Sequence, residues 1–231
     1  MGTTYHNKPI VRDGLVFCID PANKVSWSGP DSSTVNDLIG TNNGTIYNDT
    51  SGSYGDNSSF NFDGTDSYID AGSSVGVIGT SDYSFSSWVK TSQTSGTQTI
   101  LGTRNYNTNG WVIQIELNII MFYNVFTPSN RIQTTTNLTN GNWYNLVVVR
   151  GGTTSTNKIY VNGVSQSLTY NNENGTNPQS SNNLLIGAGY NNGGTLYRFF
   201  DGNMGPTMIY SKKLSASEVA QNYNALKNRF I

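Results

Sequence analysis

Two segments of this chain hold the residue types that sugar chemistry calls for. Tyr106-Asn107-Thr108-Asn109-Gly110 and Tyr190-Asn191-Asn192-Gly193-Gly194 each set a tyrosine beside amide side chains on a glycine-bearing loop. A sugar ring offers an apolar face that stacks on an aromatic ring, and hydroxyls that pair with amides, carboxylates and backbone groups. The candidate saccharide contacts are therefore Tyr106, Asn107, Asn109, Tyr190, Asn191 and Asn192, with Trp27, in Ser26-Trp27-Ser28-Gly29, as a third locus. The same composition also serves ordinary turns with an aromatic packed at the base, and both readings stay open at this point.

Hydrolytic chemistry finds little support. His6 is the one histidine, in an N-terminal stretch without periodicity, so triads built on a histidine base have no second candidate. Glycoside hydrolysis needs two carboxylates about 5–9 Å apart. Of the three glutamates, Glu218 belongs to a helix cap, Glu173 lies in an asparagine-rich loop, and Glu116 ends a strand with no second acid on its face. A pair built on aspartates stays open, but the chain is expected not to be an enzyme. Zinc sites of the usual kind lack ligands. No cofactor is required, although a structural calcium would find oxygen ligands at Asp20 and Asp201; the simpler role for both is to cap turns. Cys18 sits in an apolar run, where a buried, inert thiol is expected.

Period-two alternation positions these residues. Phe60 and Phe62 share a face, Asp63-Gly64-Thr65-Asp66 turns, and Tyr68 resumes, which reads as a hairpin. Strands follow at 82–90, from 99, and at 111–126, the last dividing at Glu116-Leu117-Asn118. Further strands are expected at 142–150, 158–164 and 184–187, with Asn162-Gly163 as the strongest tight-turn signal. Residues 23–55 read as a long connection holding at most the strand Gly44–Tyr47. One helix is signalled, from Ser215 to Asn228: Ser215 and Glu218 form a capping box, and Leu214 and Val219 a hydrophobic staple. Its buried stripe is Val219, Tyr223 and Leu226, and it is expected to clamp an edge or end of the sandwich. Residues 1–13 read as an arm, and 14–231 as a single domain.

The 231 residues permit one large all-β sandwich or two small domains. Charged residues make up 12% of the chain, about half the usual share, and the net charge is −1. Counterion release needs a basic surface, so nucleic acid is excluded as a partner. The surface is instead covered by 32 Asn, 26 Ser and 26 Thr, while 14 Tyr, 9 Phe and 4 Trp argue against disorder. No apolar stretch is long enough to span a membrane, so no membrane insertion is expected. The first 14 residues lack the layout of a secretion signal.

The segments FNFDGTDSYIDAG, SFSSWVK, WYNLVVVR, KIYVNGV, LLIGAG and FFDGNMGPTMIYSKKLSASEVAQNYNALKNRF together resemble a laminin-G-like domain of the concanavalin A-like lectin/glucanase superfamily. The resemblance covers about residues 14–231. The opening GLVFCIDPANKVSWSG with DLIGTNNGTI resembles the form found in tailed-bacteriophage virion proteins. The resemblance implies a jelly roll of two curved antiparallel sheets with one C-terminal helix. Members with glucanase activity carry a Glu-x-Asp-x-x-Glu strand motif, which Gln114-Ile115-Glu116-Leu117-Asn118 does not supply. What it then implies is a binding or assembly role: a virion-surface protein, or alternatively an extracellular or bacterial cell-surface adhesin domain. Its partners would be other virion proteins, copies of itself and host surface polysaccharide. A purely structural decoration protein is the alternative, and a polysaccharide-degrading enzyme a more distant one.

Overall fold

The structure is a computed structural model and describes residues 8–48, 59–79, 81–104, 110–124, 131–151, 156–171, 182–191 and 193–231. Two antiparallel sheets face each other across an apolar core. The seven-stranded sheet contains β1 (Leu15–Ile19), β4 (Phe60–Asp63), β6 (Tyr83–Lys90), β11 (Trp143–Arg150), β12 (Lys158–Val161), β13 (Val164–Ser165) and β18 (Asp201–Tyr210). Its order is β1-β18-β6-β11-β12-β13, with β4 paired to the first half of β18 and β1 to the second. The nine-stranded sheet contains β2 (Thr34–Val35), β3 (Gly44–Tyr47), β5 (Tyr68–Asp70), β7 (Thr97–Gly102), β8 (Trp111–Glu116), β9 (Ile119–Asn124), β10 (Arg131–Thr134), β14 (Leu168–Asn171) and β15 (Leu185–Ile186). Its order is β14-β10-β9-β8-β7-β15-β5-β3-β2. A short ribbon, β16 (Gly189–Tyr190) with β17 (Leu196–Tyr197), completes the strands. The expected all-β sandwich is observed.

Alternation decides which side chains fill the core. Phe85 from one sheet meets Trp111 from the other at a ring-centroid distance of 4.2 Å, and Phe122 lies 5.9 Å from Phe85. Ile69, Ile113, Ile115, Ile120 and Ile132 enter from the nine-stranded sheet, and Phe60, Phe62, Val89, Leu146 and Val148 from the seven-stranded one. The tight turns form where local chemistry predicts: Asn162 and Gly163 take φ of 51° and 78°, and Leu117 and Asn118 take 50° and 70°. In β18 the register against β6 shifts between Met204 and Thr207, at Pro206, which has no amide proton to give to a ladder.

Residues 59–71 depart from the hairpin expectation. β4 pairs with β18 and β5 with β3 and β15, so the turn at 63–66 is a corner carrying the chain from one sheet to the other. No cross-strand ladder closes it. Asp63 does so, its Oδ1 accepting from the amides of Thr65, Asp66 and Ser67 at 2.9–3.2 Å and from the Ser67 hydroxyl at 2.8 Å. Phe62 and Ile69 both point into the core in either arrangement, so alternation alone does not separate them. A second departure is β2, a short strand within the expected long connection.

The helix α1 (Ala216–Leu226) continues into a 3₁₀ turn (Lys227–Arg229). Ser215 accepts from the Glu218 amide, and Glu218 Oε2 accepts from the Ser215 amide at 2.9 Å, which is the expected capping box. The helix covers the outer face of the seven-stranded sheet rather than an edge. Tyr223 stacks on Trp88 at 5.8 Å, and Phe230 packs on Trp88 and Trp143 at 4.4 and 4.7 Å. Val219 is buried, but Tyr223 and Leu226 are only partly so; the other buried position is Asn222, at 1% exposure. Its Oδ1 accepts from the Val11 amide at 2.8 Å, its Nδ2 donates to the Tyr210 hydroxyl at 3.0 Å, and that hydroxyl donates to the Val11 carbonyl at 3.1 Å. Residues 8–13 of the arm are thus packed onto the domain. Cys18 is buried beneath this layer, and burial followed by the nearby charges of Asp20 and Asp37 pushes its thiol up to about 12, out of reach of neutral-pH reactivity. Among the described residues no helix is long and apolar enough to cross a membrane.

Candidate functional site

With the helix covering one side of the sandwich, tyrosines and polar side chains gather on the outer face of the nine-stranded sheet, beside a small apolar cluster of Val112, Ile119 and Met121. Alternation puts them there. In β5 Ile69 points inward, so Tyr68 and Asp70 point out; in β8 and β9 the outward set is Val112, Gln114, Glu116, Ile119, Met121 and Tyr123. The strands between Tyr123 and Tyr47 run β9-β8-β7-β15-β5-β3, five steps or about 24 Å at ordinary strand spacing.

At one end of this row Tyr47 and Tyr68 stack at 4.7 Å with rings 8° apart, and Tyr47 is 40% exposed. Asp70 follows, its carboxylate accepting from the Asn183 amide group at 2.8 Å and from the Gly72 backbone at 2.8 Å. Tyr190 stands near both. Burial first, then the charge of Asp70 and the proximity of Tyr68, push its hydroxyl up to about 12, with a hydrogen bond from the Asn183 backbone working the other way. In the middle, the ribbon lies against β7: the Thr99 amide donates to the Arg198 carbonyl at 2.8 Å. Arg198 holds its guanidinium 4.7 Å from the Tyr197 ring and donates to Gln114 Oε1 at 3.3 Å.

From there the contacts run on without a break. Gln114 donates to Glu116 at 2.9 Å, and the Tyr123 hydroxyl reaches the same carboxylate oxygen at 3.4 Å. Arg104 and Arg131 hold their guanidinium carbons 5.0 and 5.8 Å from the Tyr123 ring centre. Burial and the Glu116 charge push the Tyr123 hydroxyl up, against the opposing pull of Arg131 and Arg104. A cavity of about 10 Å³, the room of one water, opens between Thr99, Gln114, Tyr190, Tyr197 and Arg198.

Of the candidate saccharide contacts, Tyr190 lies on this face, near Tyr68 and Asp70. Asn191 is half-buried and spends its side-chain oxygen on the Thr195 amide at 3.0 Å, closing the ribbon's turn. Tyr106, Asn107, Asn109 and Asn192 lie outside the described residues. Trp27 does not line the surface: it is 1% exposed and packs edge-on against Phe60 at 5.1 Å within the core, its amide donating to the Asn23 carbonyl at 2.8 Å. A groove of about 200 Å³ runs along Ser28–Ser32, without Trp27 in its wall. Tyr47, Tyr68, Tyr123 and Tyr197 are not among the residues expected from the sequence, although the inward Ile69 beside Tyr68 and Phe122 beside Tyr123 are the available signal.

The calcium candidates do not converge. Arg229 binds both oxygens of Asp20 at 2.9 Å. Ile19, beside Asp20, pairs with Thr207, six residues along β18 from Asp201 and so about 20 Å away. Among the described residues no three His, Cys, Asp or Glu side chains gather to hold a metal. The two aspartates do not fit a shared calcium site.

Comparison with known proteins agrees with this architecture. The chain superposes on the binding domain of Paraclostridial Mosquitocidal Protein 1 with a TM-score of 0.65 at 14% identity, over 92% of this chain and 52% of that one. The binding domain of botulinum neurotoxin DC, in complex with rat synaptotagmin II, gives 0.65 at 14% identity over 94% and 52%. Trypanosoma rangeli sialidase in complex with sialic acid gives 0.61 at 14% over 93% and 33%. The chain thus spans about half the length of the toxin chains and a third of the sialidase. Curated protein sequences give no match. A laminin-G-like family model described as concanavalin A-like lectin/glucanases superfamily matches residues 63–220, the stretch from the inter-sheet corner into α1. With more than half its length matched and a lectin-like sandwich to show for it, the chain belongs to the concanavalin A-like lectin/glucanase superfamily.

Proposed function

We propose that this chain is a non-catalytic recognition module that binds a saccharide along the outer face of its nine-stranded sheet. The observation that carries this is the row of outward tyrosines, Tyr47, Tyr68, Tyr190 and Tyr197, interleaved with Asp70 and Arg198 and backed at its far end by the buried Tyr123 and Gln114. A run of several aromatic rings suits a run of sugar units rather than one ring. The toxin chains that share the fold are named as binding domains, and the sialidase structure holds sialic acid, which supports a recognition role.

A hydrolytic role fits the chemistry poorly. Tyr123 beside Glu116 is the pair in this row with the form of a nucleophile and base, but a nucleophile is activated by a lowered pKa, and that of Tyr123 is raised. The cavity beside it has room for a water and not for a ring. One tyrosine-lined contact strip of this kind corresponds to roughly millimolar affinity, about −4 kcal/mol, and linked copies add factors of about 10² to 10⁴. We place the module on the exterior of a bacteriophage virion, in many copies, facing host polysaccharide; the likeness of residues 14–46 to phage virion proteins supports this. A bacterial or extracellular adhesin would use the same face.

A glycan array probed with a multivalent form of the protein, with and without chelator, tests the reading. Binding that Tyr190→Ala and Tyr68→Ala both weaken, in folded protein, is the expected result. No binding to any glycan, alongside normal incorporation into particles, would leave a decoration or assembly role in its place, and release of reducing sugar would establish catalysis.

A further inference from the structure

We infer that the notch between Thr99, Gln114 and the β16–β17 ribbon receives a carboxylate oxygen of the bound saccharide, so that this face selects acidic sugars over neutral ones. The inference rests on the saccharide reading above and names the class of sugar.

Thr99 carries the first observation. It is 1% exposed, its hydroxyl lines the notch, and that hydroxyl makes no hydrogen bond among the described residues. A buried hydroxyl without a partner is destabilising, a penalty that a ligand oxygen removes. Position 189 keeps the space above it open: a Cβ there would stand 2.8 Å from Thr99 Oγ1, and the residue is glycine.

Arg198 carries the second. Its φ of 56° is left-handed, an uncommon conformation for a residue with a side chain, and it is held there by the 2.8 Å bond from the Thr99 amide to its carbonyl. That turn lays the guanidinium on the Tyr197 ring and against Gln114, at the wall of the notch. Gln114 Oε1 is occupied by Arg198, so the side-chain groups that line the notch offer N–H and O–H donors, the guanidinium and the Thr99 hydroxyl, while the Tyr190 hydroxyl is engaged by the Asn183 backbone beside Asp70. A donor-rich notch matches an acceptor-only group, and a carboxylate is the acceptor-only group of sugars. Its size admits one oxygen while the ring lies on the tyrosines outside.

The test uses the full chain displayed multivalently and probed with oligogalacturonate, with the same oligomer after reduction of its carboxyl groups to alcohols, and with sialyllactose against lactose as a second carboxylate source. The acidic member of a pair is expected to bind about tenfold tighter than its neutral counterpart, the worth of one charge-assisted hydrogen bond. Thr99→Val should lose most of that preference while melting at the same temperature or higher, since it deletes an unsatisfied hydroxyl. Arg198→Gln should lose the preference and Arg198→Lys keep part of it. Equal binding of acidic and neutral forms overturns the carboxylate assignment and leaves saccharide recognition standing. Acid preference unchanged in both Thr99→Val and Arg198→Gln overturns the notch as its source. Failure to bind any of the four probes, together with a blank glycan array, overturns both readings.

Discussion

Replacing Asn222 by alanine should destabilise the domain by about 2–4 kcal/mol, although the residue lies on a helix far from the tyrosine row. Two hydrogen bonds are lost, one from the Val11 amide at 2.8 Å and one to the Tyr210 hydroxyl at 3.0 Å. The Tyr210 hydroxyl keeps its bond to the Val11 carbonyl, so its loss is an ordinary bond worth about 0.5–1.5 kcal/mol. The Val11 amide is left buried without a partner, which costs about 1–3 kcal/mol. At about 2–4 °C per kcal/mol for a chain of this length, the melting midpoint should fall by about 5–15 °C. Asn222→Leu sharpens the test. Helix periodicity and propensity both favour leucine on a buried stripe, so patterning alone predicts a more stable protein. The hydrogen-bond network predicts a loss for leucine as well. Guanidinium denaturation of native, Asn222→Ala, Tyr210→Phe and the double variant gives a cycle, and coupling of about 0.5 kcal/mol or more between the two sites is expected. An Asn222→Leu protein as stable as the native one would refute the reasoning, because the arm would then be held by apolar contact alone. Removing residues 2–12 should shrink the effect of Asn222→Ala to little more than its one remaining bond.

Ser215→Ala should cost about 1 kcal/mol in denaturant titration, since it removes the oxygen that satisfies the Glu218 amide. Trp27→Ala should cost about 3–5 kcal/mol by the same assay, as expected of a buried tryptophan, while the glycan profile of the surviving folded fraction stays unchanged. Stability should also fall on acidification below about pH 4. Burial raises the Asp63 carboxyl, but hydrogen bonds from the Thr65 amide, the Ser67 hydroxyl and the Asp66 and Ser67 amides outweigh it and hold it at about 2. Glu218 is likewise raised by burial and lowered further by Lys212 and Ser215. Both folded pKa values lie below the unfolded ones, so their contribution is present above the unfolded values near 4 and is lost as pH falls toward 2. Asp63→Asn should flatten that slope in acid titration monitored by tryptophan fluorescence.

Much of this architecture is legible in the chain because local chemistry and the tertiary structure agree there. The Ser215–Glu218 box, the Asn162-Gly163 turn and the Glu116-Leu117-Asn118 reversal are short-range devices whose residues touch each other. The strand expected at 142–150 is observed as β11, where Val147 and Val149 pack under the helix while Leu146 and Val148 fill the core. What fails is what depends on a distant partner. Asp63 closes a corner and a hairpin with the same residues, and only the pairing of β4 with β18 separates them. Asn222 looks like an interruption of an apolar stripe until Val11, 211 residues away, is placed beside it. Trp27, flanked by serines, has the composition of an exposed loop, yet it packs against Phe60 within the core. Tyrosines at 47, 68, 123, 190 and 197 form one row only after nine strands are ordered.

The sparse charge of this chain bears on why the tyrosine row would work through many copies. A surface rich in Lys, Arg, Asp and Glu screens its neighbours by repulsion, whereas 84 uncharged Asn, Ser and Thr side chains and a net charge of −1 leave little to keep identical copies apart. Close packing of copies on one particle is then electrostatically cheap. It also aligns a weak face many times over, and the gain from linking depends on spacing rather than on any new contact. Avidity therefore makes its own prediction: a monovalent form should show binding only at about millimolar saccharide, while display on a particle or bead should lower the half-saturating concentration by about a hundredfold or more. Titration of the two forms against the same polysaccharide decides it. A monovalent protein that binds as tightly as the displayed one would mean that a single site suffices, and a shallow row with a water-sized notch is too small a contact to explain that.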